Sequence, residues 1–285
     1  MSEYILEAKD VSFAYPGCTK ALDNICVKIE KGKKIVFLGE NGAGKSTLFL
    51  HFNGILTPQK GKLFFKNQEM KYDNKSLMNL RKSVGIVFQD PDTQLFSANV
   101  CQEVSFGPLN LGLCVEETKK CVDTALESTG INDLRNKPTH FLSYGQKKRV
   151  TIASIIAMNP EAIIFDEPTT YLDPKHKEQI IDFLEELNQK GTTIILSTHD
   201  VNVAYSWADT IVVMKNGKVL KEGTPDVIFN NDELIEKANL KKPLILEIYN
   251  ELKNNGILPE NHRPPRTKNE LKQLINNHNI IKNLP

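Results

Sequence analysis

The sequence predicts an α/β protein: a parallel sheet with helices on both faces, interrupted by a helical insert. Three observations carry that prediction. Strand-like segments recur along the chain, at Ile35–Leu38, Ala162–Phe165 and Thr193–Ser197; the first two are wholly apolar, as strands buried on both faces are. Segments of helical period lie between several of them, notably Glu116–Ser128, Gly145–Met158 and Lys175–Gln189, the alternation expected of a parallel sheet. The stretch from about Asp90 to Val150 contains helical patterns and no good strand.

Taken in order, the chain opens with a strand over about Tyr4–Tyr15, alternating Val11, Phe13 and Tyr15 against Ser12 and Ala14. Pro16-Gly17 turns it. A second strand covers Ile25–Ile29 and a turn follows at Lys31-Gly32-Lys33. Ile35–Leu38 leads into a Gly-rich loop and a helix from about Lys45. Further strands are expected at Lys62–Phe65, Val84–Phe88 and Thr210–Met214. After about Glu236 the chain turns rich in Lys and Asn and is broken by Pro243, Pro259, Pro264 and Pro265, with short helical patterns near Leu244–Leu252 and Lys268–Ile275. That segment reads as a C-terminal appendage.

Composition sets bounds. The 285 residues suit one large domain with a short appendage, or two modest domains. With 40% hydrophobic and 25% charged residues, a sizeable core is expected. A formal charge of +1, from 36 basic and 35 acidic residues, does not suggest a nucleic-acid or anionic-membrane binder held by bulk charge, and leaves room for a local basic patch. The opening residues lack a basic region and an apolar run, so no signal peptide is expected. No apolar run nears the roughly 18–20 residues of a spanning helix; a membrane path would have to come from other chains. Cys18, Cys26, Cys101, Cys114 and Cys121 form no CxxC pair, so they read as scattered thiols in a reducing cytoplasm rather than a zinc or redox motif.

Gly39-Glu40-Asn41-Gly42-Ala43-Gly44-Lys45-Ser46 fits GxxxxGK[ST] in full, after an apolar strand and before a helix. Gly39, Gly42 and Gly44 let the backbone curl so that successive N–H groups, with that of Asn41, face one anion. The helix N-terminus adds partial positive charge. Lys45 is placed to reach the β- and γ-phosphates, and Ser46 to offer a hydroxyl to Mg²⁺. Thr47 joins the same nucleotide-binding set. The loop predicts a P-loop NTPase fold that binds a nucleoside triphosphate with Mg²⁺.

Ala162–Phe165 ends in Asp166-Glu167. Acids at the end of a buried strand need a partner. The Mg²⁺ of a nucleotide suits Asp166, and Glu167 suits the general base that polarises the attacking water. A solvated strand end is the other reading of the pair, and the phosphate loop weighs against it.

These residues resemble the ABC ATPase family. Leu142-Ser143-Tyr144-Gly145-Gln146 looks like its LSGGQ signature, with Tyr144 in place of the usual Gly. The resemblance implies that Ser143 and Gly145 bind the γ-phosphate held by a second subunit; Ser143 can at the same time cap the helix it precedes. Gln89 matches the Q-loop glutamine, expected to touch Mg²⁺ or the attacking water. Leu172-Asp173 matches the D-loop, with Tyr171 replacing the small residue common before it. His199 matches the switch histidine that contacts the γ-phosphate. Tyr15 matches the aromatic that stacks on adenine, and equally suits a strand-end aromatic of the core. The resemblance covers about Tyr4–Phe229. It implies an ATPase domain over 1–236, with an N-terminal antiparallel β subdomain and a helical subdomain at about 90–150, and an appendage over 237–285.

His51-Phe52-Asn53-Gly54-Ile55-Leu56, Asp90–Phe96 and Phe106–Leu113 are similar to the energy-coupling-factor branch, and the His-Phe-Asn-Gly form to its cobalt-type ATPase. That implies an ATP-driven importer, for cobalt before nickel or vitamins, with a soluble non-transport ABC ATPase the more distant alternative. The implied partners are a second ATPase subunit, identical or a paralogue, and integral membrane subunits, with no nucleic acid. The implied place is the cytoplasmic face of the membrane, held peripherally. The region Asp92–Leu113 is expected to form the groove for a partner's short coupling helix.

Overall fold

The structure is a computed structural model that describes residues 4–17, 20–258 and 262–277. Cys18, Pro259 and the opening Met1–Glu3 lie outside the described residues. In chain order the elements are β1 (Tyr4–Ala14), β2 (Lys20–Glu30), β3 (Lys34–Leu38), α1 (Lys45–Phe52), β4 (Lys60–Phe65), β5 (Gln68–Glu69), α2 (Asn74–Ser83), β6 (Val84–Val87), α3 (Val100–Asn110), α4 (Val115–Ser128), α5 (Tyr144–Ile156), β7 (Ala162–Phe165), α6 (Pro174–Gln189), β8 (Thr193–Thr198), α7 (Val201–Trp207), β9 (Thr210–Lys215), β10 (Lys218–Gly223), α8 (Pro225–Phe229), α9 (Asp232–Lys237), α10 (Leu244–Asn254) and α11 (Lys268–Asn277).

Two sheets result. The small one is antiparallel, in the order β2-β1-β4-β5; the large one has the order β10-β9-β3-β8-β7-β6. In the large sheet β9, β3, β8, β7 and β6 run parallel, and β10 closes one edge antiparallel. Its central strands are mainly apolar because both faces are covered: Val36, Leu38, Phe165 and Leu196 pack on one side with α6 and α7, while Phe37, Ile164 and Ile195 pack on the other against α1 and the small sheet. A third core of Val100, Val104, Val122, Leu126 and Val150 holds α3, α4 and α5 together as the helical insert.

Most expected elements occur, with shifted ends. β2 begins at Lys20 rather than Ile25 because its pairing with β1 continues through bulges down to Lys20. The sequence reading does not give α2 or β10. α2 buries only Leu80, too thin a stripe to stand out as periodic, and β10 is a polar edge strand.

His51-Phe52-Asn53-Gly54 closes α1. His51 is fully buried, with Nδ1 2.7 Å from the Thr47 carbonyl oxygen, and Asn53 donates its amide to the Val84 carbonyl at 2.7 Å. Burial pushes the imidazole of His51 below its ordinary pKa, against the pull of backbone carbonyls. The motif therefore pins the phosphate-loop helix to β6.

Candidate functional site

Parallel strands deliver their functional residues at one end of the sheet, because the loop after each strand leaves from its carboxyl edge. β3 runs into the Gly-rich loop, β6 into Gln89, β7 into Asp166 and Glu167, and β8 into His199. At Gly39 a Cβ would lie 2.3 Å from the Met214 carbonyl oxygen, so only glycine fits where the loop leaves β3. Gly44 has φ +101° and would meet the Ala21 carbonyl oxygen at 2.5 Å. α1 starts at the next residue.

Lys45 is buried and folds back over the loop, donating to the Gly39 carbonyl at 2.6 Å and the Glu40 carbonyl at 3.0 Å. Its ammonium lies 3.5 Å from Glu167 Oε1. Ser46 is exposed on the first turn of α1. Thr47 Oγ1 lies 3.4 Å from the Tyr15 hydroxyl. Tyr15, Asn41, Gly42, Gly44, Lys45, Ser46, Thr47, Gln89 and Glu167 all line one cleft of about 420 Å³.

The two acids are held by a residue the sequence reading missed. Ser197 Oγ donates to Asp166 Oδ1 at 2.6 Å and accepts from the Glu167 N–H at 2.9 Å. The pairing of Phe165 with Leu196 sets this register. The signal was available: Ser197 is a polar residue inside a fully buried strand, which requires a partner. Glu167 is buried, and its Oε2 accepts from Thr170 Oγ1 at 2.9 Å and lies 3.3 Å from His199 Nδ1. The His199 ring itself is largely exposed, at 63%. Glu167 has φ +44°, the left-handed region that a branched or long side chain rarely enters. Such strain is kept where a side chain must point one way.

Ser143 caps α5: its Oγ accepts from the Gln146 N–H at 3.3 Å and Gln146 Oε1 accepts from the Ser143 N–H at 3.0 Å. Asp173 caps α6 and also meets His176 Nδ1 at 2.5 Å, a hydrogen bond that holds its carboxyl below the usual range. Ser143, Gly145 and Asp173 line a second cleft of about 550 Å³ with Tyr144 and Tyr171. One chain therefore does not bring these three residues to the phosphate loop.

A third concavity, about 700 Å³, lies between α2, α3 and α5 and is lined by Met78, Phe96, Phe106, Ile155 and Met158, with Gln94 and Arg81 among its polar residues. Phe96 and Phe106 meet edge to face at 4.7 Å and are both exposed. Among the described residues no cluster of His, Cys, Asp and Glu could hold a metal ion by itself, and no helix is long and apolar enough to cross a membrane.

A Gly-rich loop between a parallel strand and a helix, a buried lysine over it, and paired acids at the end of a nearby parallel strand define a P-loop nucleoside triphosphatase. The family model described as ABC transporter matches residues 22–170. An energy-coupling factor transporter ATP-binding protein, EcfA, of Methanocaldococcus jannaschii is 53% identical over 256 residues, 90% of this chain and 92% of that protein. The chain belongs to the ABC transporter family. It spans 60% of the length of a Methanosarcina mazei relative, to which it is 48% identical over 273 residues. Among solved structures, CbiO1 of Clostridium perfringens, described as part of the ABC transporter complex CbiONQ, superposes with TM-score 0.74 at 46% identity, covering 88% of this chain and 99% of that one. A dimeric ATP-binding cassette in a post-hydrolysis state, bound to ADP and Pi, superposes with TM-score 0.70 at 29% identity, covering 77% and 98%.

Proposed function

We propose that this chain is the ATP-hydrolysing subunit of an energy-coupling-factor importer for cobalt ions, and that it works as a head-to-tail pair. The observation that carries the pairing is the separation of the two half-sites. The phosphate loop and Glu167 share one cleft, while the α5 N-terminus with Ser143 and Gly145 opens into another. A helix N-terminus suits phosphate, so each nucleotide is gripped by the loop of one chain and the signature of the other. The solved dimeric cassette with ADP and Pi supports a pair of such chains. The partner is a second copy or a paralogue.

Within one site Lys45 and the loop N–H groups hold the β- and γ-phosphates, Tyr15 stacks on the adenine, and Glu167 takes a proton from the attacking water. His199 and Gln89 steady the γ-phosphate and that water, and Asp173 holds the seam between chains. Ser46, Gln89 and Asp166 are hard oxygen donors of the kind Mg²⁺ accepts, with Asp166 already oriented by Ser197; they would hold the ion, which supplies charge neutralisation on the phosphates. Hydrolysis removes the γ-phosphate contacts and the pair opens. Residues 1–236 act as the ATPase domain and 237–285 as its appendage.

The groove of Met78, Phe96 and Phe106 receives a short helix of an integral membrane subunit, which holds the chain peripherally at the cytoplasmic face. Cobalt is supported by the likeness to CbiO1. Glu167→Gln tests the core of the reading. It should bind ATP, elute as a dimer with ATP, and release phosphate at least about 100-fold more slowly; hydrolysis at the parent rate removes Glu167 from the base role. Uptake of labelled cobalt against nickel, with the membrane subunits co-expressed, tests the cargo.

A further inference from the structure

Three side chains on one face of α5 reach the segment that follows β6. Tyr144, Lys147 and Lys148 are spaced i, i+3, i+4, the spacing that aligns side chains on a helix. The Tyr144 hydroxyl donates to the Gln89 carbonyl at 3.1 Å. Lys148, at 1% exposure, donates to the carbonyls of Phe88 and Gln89, both at 2.8 Å. Lys147 pairs with Asp92 at 2.6 Å. From the other side Gln94 completes the hold, accepting from the Phe88 N–H at 3.0 Å and donating to the Ile86 carbonyl at 3.3 Å. Gln94 also lines the apolar groove.

We infer that Tyr144 and Lys148 form a clasp that ties the signature helix to Gln89 and so links the two ATP sites that one chain serves. The inference rests on the head-to-tail pairing proposed above. In that pairing Ser143, the cap of α5, reads nucleotide on the partner, while Gln89 lines the chain's own phosphate cleft. A rigid connection from α5 to the Gln89 backbone makes any movement of the signature on its phosphate a movement of Gln89 at the other phosphate. Burying an ammonium is costly without compensation, and this one is compensated by two backbone carbonyls that hold one segment in one position. The clasp also accounts for Tyr144 where small residues are usual: its hydroxyl reaches a carbonyl that glycine cannot. Tyr144 and Lys148 are positioning residues, acting through Gln89.

The test is steady-state ATP hydrolysis by the full chain carrying Tyr144→Phe or Lys148→Gln. The parent should show a Hill coefficient for ATP above 1. Lys148→Gln should lower kcat about tenfold, the effect of one charge-assisted hydrogen bond, and Tyr144→Phe about threefold. In both, KM for ATP should stay within about twofold and the Hill coefficient should fall towards 1. Tyr144→Phe removes a single hydroxyl and keeps the test decisive should Lys148→Gln not fold. An unchanged kcat and Hill coefficient in Tyr144→Phe, a KM rising in step with the loss of kcat, or a parent Hill coefficient of 1 each overturns the clasp. ATP-dependent dimer formation by Glu167→Gln, with the clasp intact, separates the two ideas. Its failure removes the pairing; its success beside an unaltered Tyr144→Phe removes only the clasp.

Discussion

Ser197 shows how much of the site depends on one hydroxyl. It hydrogen-bonds both to the Asp166 carboxylate and to the backbone N–H of Glu167, and Glu167 sits in a left-handed conformation that needs such support. Ser197→Ala leaves a buried N–H and a buried carboxylate oxygen each short of a partner, and such orphaned groups cost more than the bonds themselves contribute. Phosphate release by Ser197→Ala should fall about tenfold while the nucleotide still binds, which equilibrium titration with a fluorescent ATP analogue checks. A parent-like kcat would mean that β8 does not govern the acids. Residues with a motif around them, such as Lys45 and Glu167, were legible from the sequence. Ser197 and Lys148 were not, because each acts through a partner distant in the chain.

At the scale of elements, α7 is held at both ends by the C-terminal segment. The Leu244 N–H donates to Asn202 Oδ1 at 2.9 Å near the start of α7. Arg266 donates to the Tyr205 carbonyl at 2.9 Å and to the Ala208 carbonyl at its end, the terminus where cations are favoured. Leu246 and Tyr249 of α10 pack into the same core as Tyr205 and Trp207. Arg266→Ala should destabilise the protein by about 1.5–3 kcal/mol, read as a lower urea midpoint; an unchanged midpoint would make α11 a passive tail. The sequence revealed α10 and α11 as helical patterns, because their apolar stripes are local. It could not reveal what they brace, nor that Met78 of α2 and Met158 beyond α5 complete the groove with Phe96. Period reports which face of an element is apolar, and not which neighbour covers it.

For the whole molecule, the small and large sheets meet through Glu161, just before β7. Lys66 donates to it at 2.5 Å and Lys31 at 3.0 Å. Partial burial pushes this carboxyl up, but the hydrogen bonds from the two lysines outweigh it and hold it below its ordinary value of 4.5. The unfolded chain therefore takes up the proton first as acid is added. The contribution is fully present above 4.5 and is lost as pH falls through the lower, folded value. Thermal melts from about pH 6 to about pH 3 should show Glu161→Gln less stable than the parent at the upper end and the gap narrowing towards the lower. A gap of constant size would detach the acid limb from this contact. The same sheet has a consequence for how the chain is made. β3 carries the phosphate loop, yet among the described residues it pairs only with β8 and β9, Lys34 beside Ile194 and Ile35 beside Thr210. During synthesis the loop leaves the ribosome long before either flanking strand exists, so the nascent chain carries an unsatisfied strand edge through most of translation. The turn at Gly39 packs against the Met214 carbonyl, so that contact forms only after more than two thirds of the chain has been made.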